Sequence, residues 1–576
     1  MPLPTVPSLP AFDPALLTQF PFAPAAHNAS KEERVCLSYA RAKAIASHFD
    51  LTQEDIRLLT PNFWKMHLHP IMVWDGAATT LLTIQYNLVV GTLLQYTSAR
   101  SDLLSLIDDL LKYRKAGQFM LTERGHGLDA ENLETTATLL VGGGFLLQTP
   151  SSQAAKFMPP SVPAGMPTMA LVFARLMVDG EFRGIRPFIV DLNDGVDMSP
   201  GVSTRLLPQR GGTTPVNHCI TSFNVRLPPS ALLGPLTKST GRRGEFQRLI
   251  WRVSVGSLSL STLLTSATAI AATIGYRYSL RRTIGRGTPI FAFRTQQAPI
   301  LITIAHAHVM LALSRWSSSF FSSKKVCIAE KHAIATAVKA AAVPRALAHQ
   351  LSISERCGAQ GLFDHNQISR FFHETRGISI AEGDTLMLCV RLTLEILLGR
   401  CSLPPPVEPS SLLSRLEGGL FAELSGIFSS IPSEERLDRI NRQILPRCQP
   451  FVEAVGHRMA YDAAQAQGVP PPLIDVHVAT MVRSNGAWFA EHVGLGHRAQ
   501  LRMEEEALDI ALPDAEDYVV ALGVEPYVSA PIVADKSWDA FEASLQVFGE
   551  TTNLLHLSPA GRGVLQSTTP RPRPRL

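Results

Sequence analysis

The stretch AGQFMLTERGHGLDAENLETTATLL, Ala116 to Leu140, decides how the chain is read. A Thr-Glu pair stands before two glycines spaced Gly-x-Gly, and strand-forming threonines follow. Glycine carries no Cβ, so such a run lets the backbone turn sharply or approach another group closely. By spacing alone, Gly125 and Gly127 could simply belong to a β-turn entering a strand. What raises the run above that is its context: QFMLTE before it and NLETTATL after it.

Downstream the period of the sequence changes twice. Between Gln118 and Leu233 short β-rich runs, FLLQT, MALVFARLMV, IRPFIVDL and CITSFNVRL, alternate with turn clusters such as VGGG, NDGVDMSPG and RGGTTP, which predicts a compact β domain. Upstream, SKEERVCLSYARAKAIASHF opens with Ser30 as N-cap and Glu33 three residues on, the capping-box spacing. After Pro235 long helical runs return, among them IAEKHAIATAVKAAAV and GDTLMLCVRLTLEILLGR. The fold class expected is multidomain α+β: an N-terminal helical domain, a central β-barrel-like domain, and a C-terminal helical bundle with an extension. The boundaries expected are a proline-rich extended arm over 1–29, helices over 30–116, the β domain over 117–235, the bundle over 236–400, a proline-stiffened linker over 401–411, a mixed, mainly helical extension over 412–558, and a disordered tail over 559–576.

Composition excludes several classes. A chain of 576 residues is too long for one core. Its 45% apolar and 18% charged residues fit extensive buried helical surface. A net charge of +4 with Lys and Arg scattered along the chain gives no footprint for nucleic acid. The uncharged span Val253 to Ile274 is long enough to cross a bilayer, yet it holds nine Ser and Thr residues, so a buried bundle helix is preferred and no membrane span is expected. The seven cysteines never form a CxxC pair and read as buried thiols in a reducing compartment. No secretory leader is expected, because prolines break the segment before Lys31. His67 with His69, and His306 with His308, sit two apart and present no zinc motif, so no metal is expected.

With the segment HETRGISIAEGDTLMLCVRL, His373 to Leu392, the opening run resembles the acyl-CoA dehydrogenase and acyl-CoA oxidase superfamily, nearest to the peroxisomal oxidase branch found in fungi. The resemblance spans roughly Gln85 to Ala530. It implies FAD as cofactor, clamped between the β domain and the second helical block, and acyl-CoA as substrate, oxidised to the trans-2-enoyl-CoA. It implies that Thr122 contacts the flavin near N5, with Gly125 and Gly127 as the close-approach glycines. Glu382 in AEGDT matches the catalytic base of the family; on the residues alone it could equally begin a helix at its favoured, positive end. ERCGAQGLFDHNQI resembles the turn that meets the cofactor's pyrophosphate in a partner subunit, through Gly358 and Gly361, with Ala359 where a glycine is usual; a plain interhelical turn is the alternative. In YSLRRTIGRG and FRTQQAPIL, Arg281 or Arg282 and Gln296 or Gln297 resemble the residues binding the adenosine diphosphate half, where a planar guanidinium suits a pyrophosphate; an exposed basic helix end is the alternative.

The chain departs from the family pattern at three places. Phe157, Met158, Pro159 and Pro160 stand where aromatic residues and glycines are common, and Phe157 could stack on the ring. Arg124 follows the TE pair where an apolar residue or proline is common, and Leu128 replaces a serine. Molecular oxygen is the expected electron acceptor, giving hydrogen peroxide. The alternatives are a dehydrogenase passing electrons to a flavoprotein, and a non-catalytic relative of the fold. The family's shared contacts imply a homodimer. The terminal Pro574-Arg575-Leu576 resembles a variant peroxisomal import signal, which points to peroxisomes, otherwise to cytoplasm.

Overall fold

The computed structural model describes Leu17, Pro21, Phe22 and residues 29–238, 244–545 and 547. Most of the expected arm, and all of the expected tail with its terminal tripeptide, lie outside the described residues. Leu17 and Phe22 are buried, packed into the main core.

The first block is helical. In the Lys31–Phe49 helix the capping box forms as its spacing predicts: the Ser30 hydroxyl accepts from the Glu33 N–H at 3.1 Å, and the Glu33 carboxylate accepts from the Ser30 N–H at 2.7 Å. The Gly76–Thr83 helix is capped by buried Asp75, which accepts from the N–H groups of Ala77 and Ala78 and from Arg41. It runs directly into a seven-residue π-helical segment, Ile84–Val90, a wide turn found most often beside functional sites.

The β block holds eight strands: β1 Ala116–Met120, β2 Thr136–Leu139, β3 Phe145–Gln148, β4 Lys156–Met158, β5 Thr168–Val178, β6 Glu181–Asn193, β7 Val202–Leu206 and β8 Cys219–Leu227. Long β5 organises them. β1 and β2 lie end to end along one of its edges, both parallel to it, and β6 pairs antiparallel along the other. The β5–β6 hairpin turns through Asp179 and Gly180, both at positive φ, the backbone that suits a tight Asp-Gly hairpin. β2 continues through β3 to β8, which also pairs with β4 and β7. The result is one mixed sheet with β6 and β7 at its edges.

The second block is built on three long helices, Arg252–Arg281, Arg294–Ser322 and Ile328–Arg356, followed by Ile368–Ile380 and Thr385–Leu397. The first two are apolar and long enough to cross a membrane, but the most apolar window is 100% buried in the first and 78% in the second. Hydroxyls are tolerated there because they bond within the bundle: Ser261 to the Ser257 carbonyl, Thr273 to the Ala269 carbonyl, Thr265 to Ser314 of the neighbouring helix.

The described residues of the extension form helices and turns, with no strand among them. Buried Arg458 ties it to the proline-rich linker, bonding Glu417, Asp462 and the Pro404 carbonyl. Its Leu445–Ala466 and Pro471–Ser484 helices share one core with the bundle. At that seam four imidazoles meet, His306, His349, His457 and His477, one from each of four helices; ring centroids lie 4.7 Å apart for His306–His349, 5.7 Å for His306–His477 and 5.4 Å for His457–His477. Burial, reinforced by neighbouring imidazoles and Arg345, pushes all four well below the usual histidine range. Among the described residues no group of His, Cys, Asp or Glu side chains is arranged to hold a metal ion.

Not all the thiols are buried as expected. Cys219, Cys357, Cys389 and Cys448 are, but Cys401 is half-buried, and Cys36 and Cys327 are exposed. Cys327 is at the surface because it caps the N-terminus of the Ile328–Arg356 helix.

Candidate active site

The Thr122 turn is shaped by the residue after it. The Glu123 carboxylate is fully buried and accepts four bonds: from the N–H groups of Glu134 and Thr135 at 2.7 and 2.9 Å, the Thr135 hydroxyl at 2.6 Å and the Lys156 ammonium at 2.9 Å. Lys156 also donates to the Phe173 carbonyl at 2.8 Å. These bonds anchor β1, β2, β4 and β5 around one carboxylate. The Thr122 carbonyl accepts from Phe157 N–H at 3.1 Å, which sets the two residues side by side. The Thr122 hydroxyl has no hydrogen-bond partner among the described residues. We expect Glu123→Ala to cost about 3 kcal/mol or more, because the buried Lys156 loses its counter-charge; urea unfolding of the two proteins checks this, and equal midpoints would refute it.

Glu382 faces the cavity from the other side, on a turn between the Ile368–Ile380 and Thr385–Leu397 helices. Its φ is +55°, unusual for a residue with a side chain, and the turn is clamped. The buried Lys339 ammonium donates to the carbonyls of Ala381 and Gly383, each at 2.6 Å, and the Ser257 hydroxyl donates to the Glu382 carbonyl. The carboxyl nests against Gly256 of the Arg252–Arg281 helix, where any Cβ would collide with it. Part of the residue remains open to the cavity, yet Oε2 is buried without a partner. Burial pushes the carboxyl up to about 8, against the opposing pull of Lys339 and Arg252. Arg252 is itself buried, exchanging bonds with Asn87 of the π segment at 2.9 and 3.0 Å. A carboxyl so held is a competent proton acceptor once ionised.

The cavity between these two sites has a volume of about 1600 Å³. Thr122, Gly127, Phe157 and Glu382 all line it. Gly125 does not; it is exposed and sits close against Gln153. Leu88, Leu260, Leu263, Leu264, Ala267 and Phe371 give it an apolar wall, and the exposed Arg248, Arg391 and Arg400 line it as well. A further group lines the wall between the β domain and the Ile368–Ile380 helix: Arg210, Thr213 and His218 from the β7–β8 loop, and Glu374 facing them. Glu374 sits where a side chain on Gly76 would go, and burial pushes it up to about 7.

Arg281, Arg282, Gln296, Gln297, Gly358 and Gly361 line none of this. They gather at the far end of the bundle: Gln296 Nε2 donates to the Arg356 carbonyl at 3.4 Å, the Arg282 carbonyl accepts from Ile290 N–H at 2.8 Å, and Gly361 leaves room for the Ser354 carbonyl. Arg281 pairs with Asp535 at 2.5 Å. Gly256 and Arg281 are separated by about 38 Å of helix at 1.5 Å per residue. Sequence reading missed Lys339, Arg252, Gly256, Glu374 and Arg210. Only Lys339 left a signal, as a lone charge within ATAVKAAAV.

Two helical blocks gripping a mixed sheet, with a cavity lined from both, make a fold similar to that of solved acyl-CoA oxidases. Residues 256–397 match the family model described as acyl-CoA oxidase, C-alpha1 domain. The chain is 26% identical over 305 residues to peroxisomal acyl-coenzyme A oxidase 1 of Arabidopsis thaliana, covering 48% of this chain and 46% of that protein. It is 26% identical over 399 residues to peroxisomal acyl-coenzyme A oxidase 3 of Homo sapiens, covering 63% and 56%. Its alignment thus spans about half the length of the curated relatives it matches. Among solved structures, acyl-CoA oxidase1 from Yarrowia lipolytica superposes with a TM-score of 0.78 at 15% identity over 98% of this chain and 93% of that one. Acyl-CoA oxidase-1 of Caenorhabditis elegans, complexed with FAD and ATP, gives 0.70 at 17% identity over 93% and 95%. The protein is acyl-CoA oxidase-like in both sequence and fold.

Proposed function

We propose that the protein is an FAD-dependent acyl-CoA oxidase that introduces a trans-2 double bond into an acyl-CoA and forms hydrogen peroxide. The observation that carries this is Glu382: an unpartnered carboxyl, held on a clamped turn, facing Thr122 and Phe157 across a cavity large enough for a cofactor and a thioester. The residues present suit FAD. Thr122 offers a free hydroxyl to the ring edge, Phe157 a face to stack on, and Gly127 open space for close approach. When bound, FAD supplies the two-electron acceptor for the substrate's β C–H bond.

The chain's own residues do the rest. Glu382 takes the α-proton, which is only weakly acidic and needs a positioned, desolvated base. The apolar wall made by Leu88, Leu260, Leu263, Leu264, Ala267 and Phe371 suits the acyl chain, and Arg248, Arg391 and Arg400 suit the CoA phosphates. The Arg281 to Gly361 cluster is too far away to serve the same cavity. This supports a homodimer in which that cluster of one subunit meets the cofactor's pyrophosphate held mainly by the other. Relatives named peroxisomal support a peroxisomal location. Purified protein is expected to be yellow with bound FAD and to release peroxide in air from one or more acyl-CoAs in a series of graded chain length. Colourless protein that takes up no FAD would overturn the proposal.

A further inference from the structure

Arg210 is a cation without an anion. It is half-buried in the cavity wall, and the hydrogen bonds it donates end on neutral acceptors: Nε on His218 Nε2 at 3.1 Å and Nη2 on the Thr213 hydroxyl at 2.6 Å. His218 is neutral by geometry, because Nδ1 donates to the Met158 carbonyl at 3.1 Å, which leaves Nε2 to accept from the guanidinium. Burial, with Arg210 beside it, depresses its basicity to about 4. No carboxylate among the described residues lies within ion-pair distance of Arg210. The acid group that acts on it from the facing helix, Glu374, is pushed up to about 7 and so carries only part of a charge at neutral pH.

A guanidinium does not lose its proton under these conditions. One that faces a cavity with neutral partners is therefore poised for an anion arriving in that cavity. Its position says which anion. Through His218 it is tied to Met158, which lines the cavity next to Phe157, itself bonded to Thr122. We propose that Arg210 is the counter-charge for the negative charge that flavin acquires on two-electron reduction, and that Glu374 tempers it. This rests on the FAD reading above. A fixed cation near the ring raises the cofactor's reduction potential and favours anionic adducts.

The test uses the FAD-loaded enzyme and sulfite, which adds to oxidised flavin to give an anionic adduct and bleaches its visible absorbance. Arg210→Gln is expected to weaken sulfite binding by at least about tenfold and to lower the reduction potential. Arg210→Lys keeps the charge and is expected to retain most of the affinity, and Glu374→Gln is expected to tighten it. An Arg210→Gln enzyme that holds FAD and binds sulfite like the parent overturns the proposal. So does one whose only change is a raised KM, because that would assign Arg210 to a phosphate or carboxylate of the substrate. Protein that binds no flavin in any form would sink the FAD reading as well.

Discussion

Replacing Glu382 by glutamine is expected to leave FAD bound and the fold intact while slowing flavin reduction by acyl-CoA by a factor on the order of 10² to 10⁴. The amide keeps the shape that fits against Gly256 and still meets Lys339 and Ser257 through the backbone, so only the base is lost. The parent carries a pH signature with it. Only the ionised carboxylate accepts a proton, and burial raises its titration to about 8, so kcat/KM should climb as pH rises toward that value and level off above it. The glutamine variant should show no such limb. Anaerobic stopped-flow measurements of flavin bleaching give both results, and a variant reduced at the parental rate would remove Glu382 from the role of base.

The second large effect is on stability. His306, His349, His457 and His477 are neutral in the folded protein, with His349 and His477 depressed to about 3, whereas the unfolded chain takes up a proton on each near the ordinary value of 6.5. The sign follows: their contribution is fully present above pH 6.5 and is lost progressively as the pH falls below it. The groups facing them at the seam do not reverse this, because Arg345 opposes a second positive charge and Glu453 faces Arg345. Between pH 7.5 and 5.5 the four together should lower the unfolding free energy by about 5 kcal/mol. Other buried imidazoles, such as His67 and His308, add to the loss. Urea titrations at the two pH values measure it. His477→Leu should shed about one proton from the uptake on unfolding; an unchanged pH slope in that variant would exclude the cluster as its source.

The large blocks of this fold were legible because each is written in a period. The 3.6-residue pattern and the Ser30 capping signal gave the helices, and the hydrophobic β runs gave β3, β5, β6 and β8. Short β4 and β7, three and five residues long, carry too little pattern to stand out and are formed by pairing with β8. Thr122 and Glu382, which both line the cavity, stood out in the sequence because family motifs surround them. Arg252 and Arg210 did not: Arg252 acts through contacts to Asn87 and Ile56, distant in sequence, and Arg210 through His218, eight residues on, in a loop whose folding no periodicity predicts. Exposure of Cys327 was missed for another reason: with Glu330 three residues on it forms a capping box like that of Ser30 and Glu33, but cysteine is not a residue one looks for at an N-cap.

The π-helical segment Ile84–Val90 makes chain length, more than residue identity, the sensitive variable in this region. Its wide turns accommodate the reciprocal bonds between Asn87 and Arg252 and bring Gly91 to where the guanidinium needs space. Removing one residue there would let the segment close to an α-helix, taking away the widened turn that accommodates the Asn87–Arg252 bonds. Arg252 would lose the backbone and side-chain partner that fixes it beside Glu382. Substitutions along this wall change its lining, whereas a single deletion would disturb the packing behind the turn that carries Glu382.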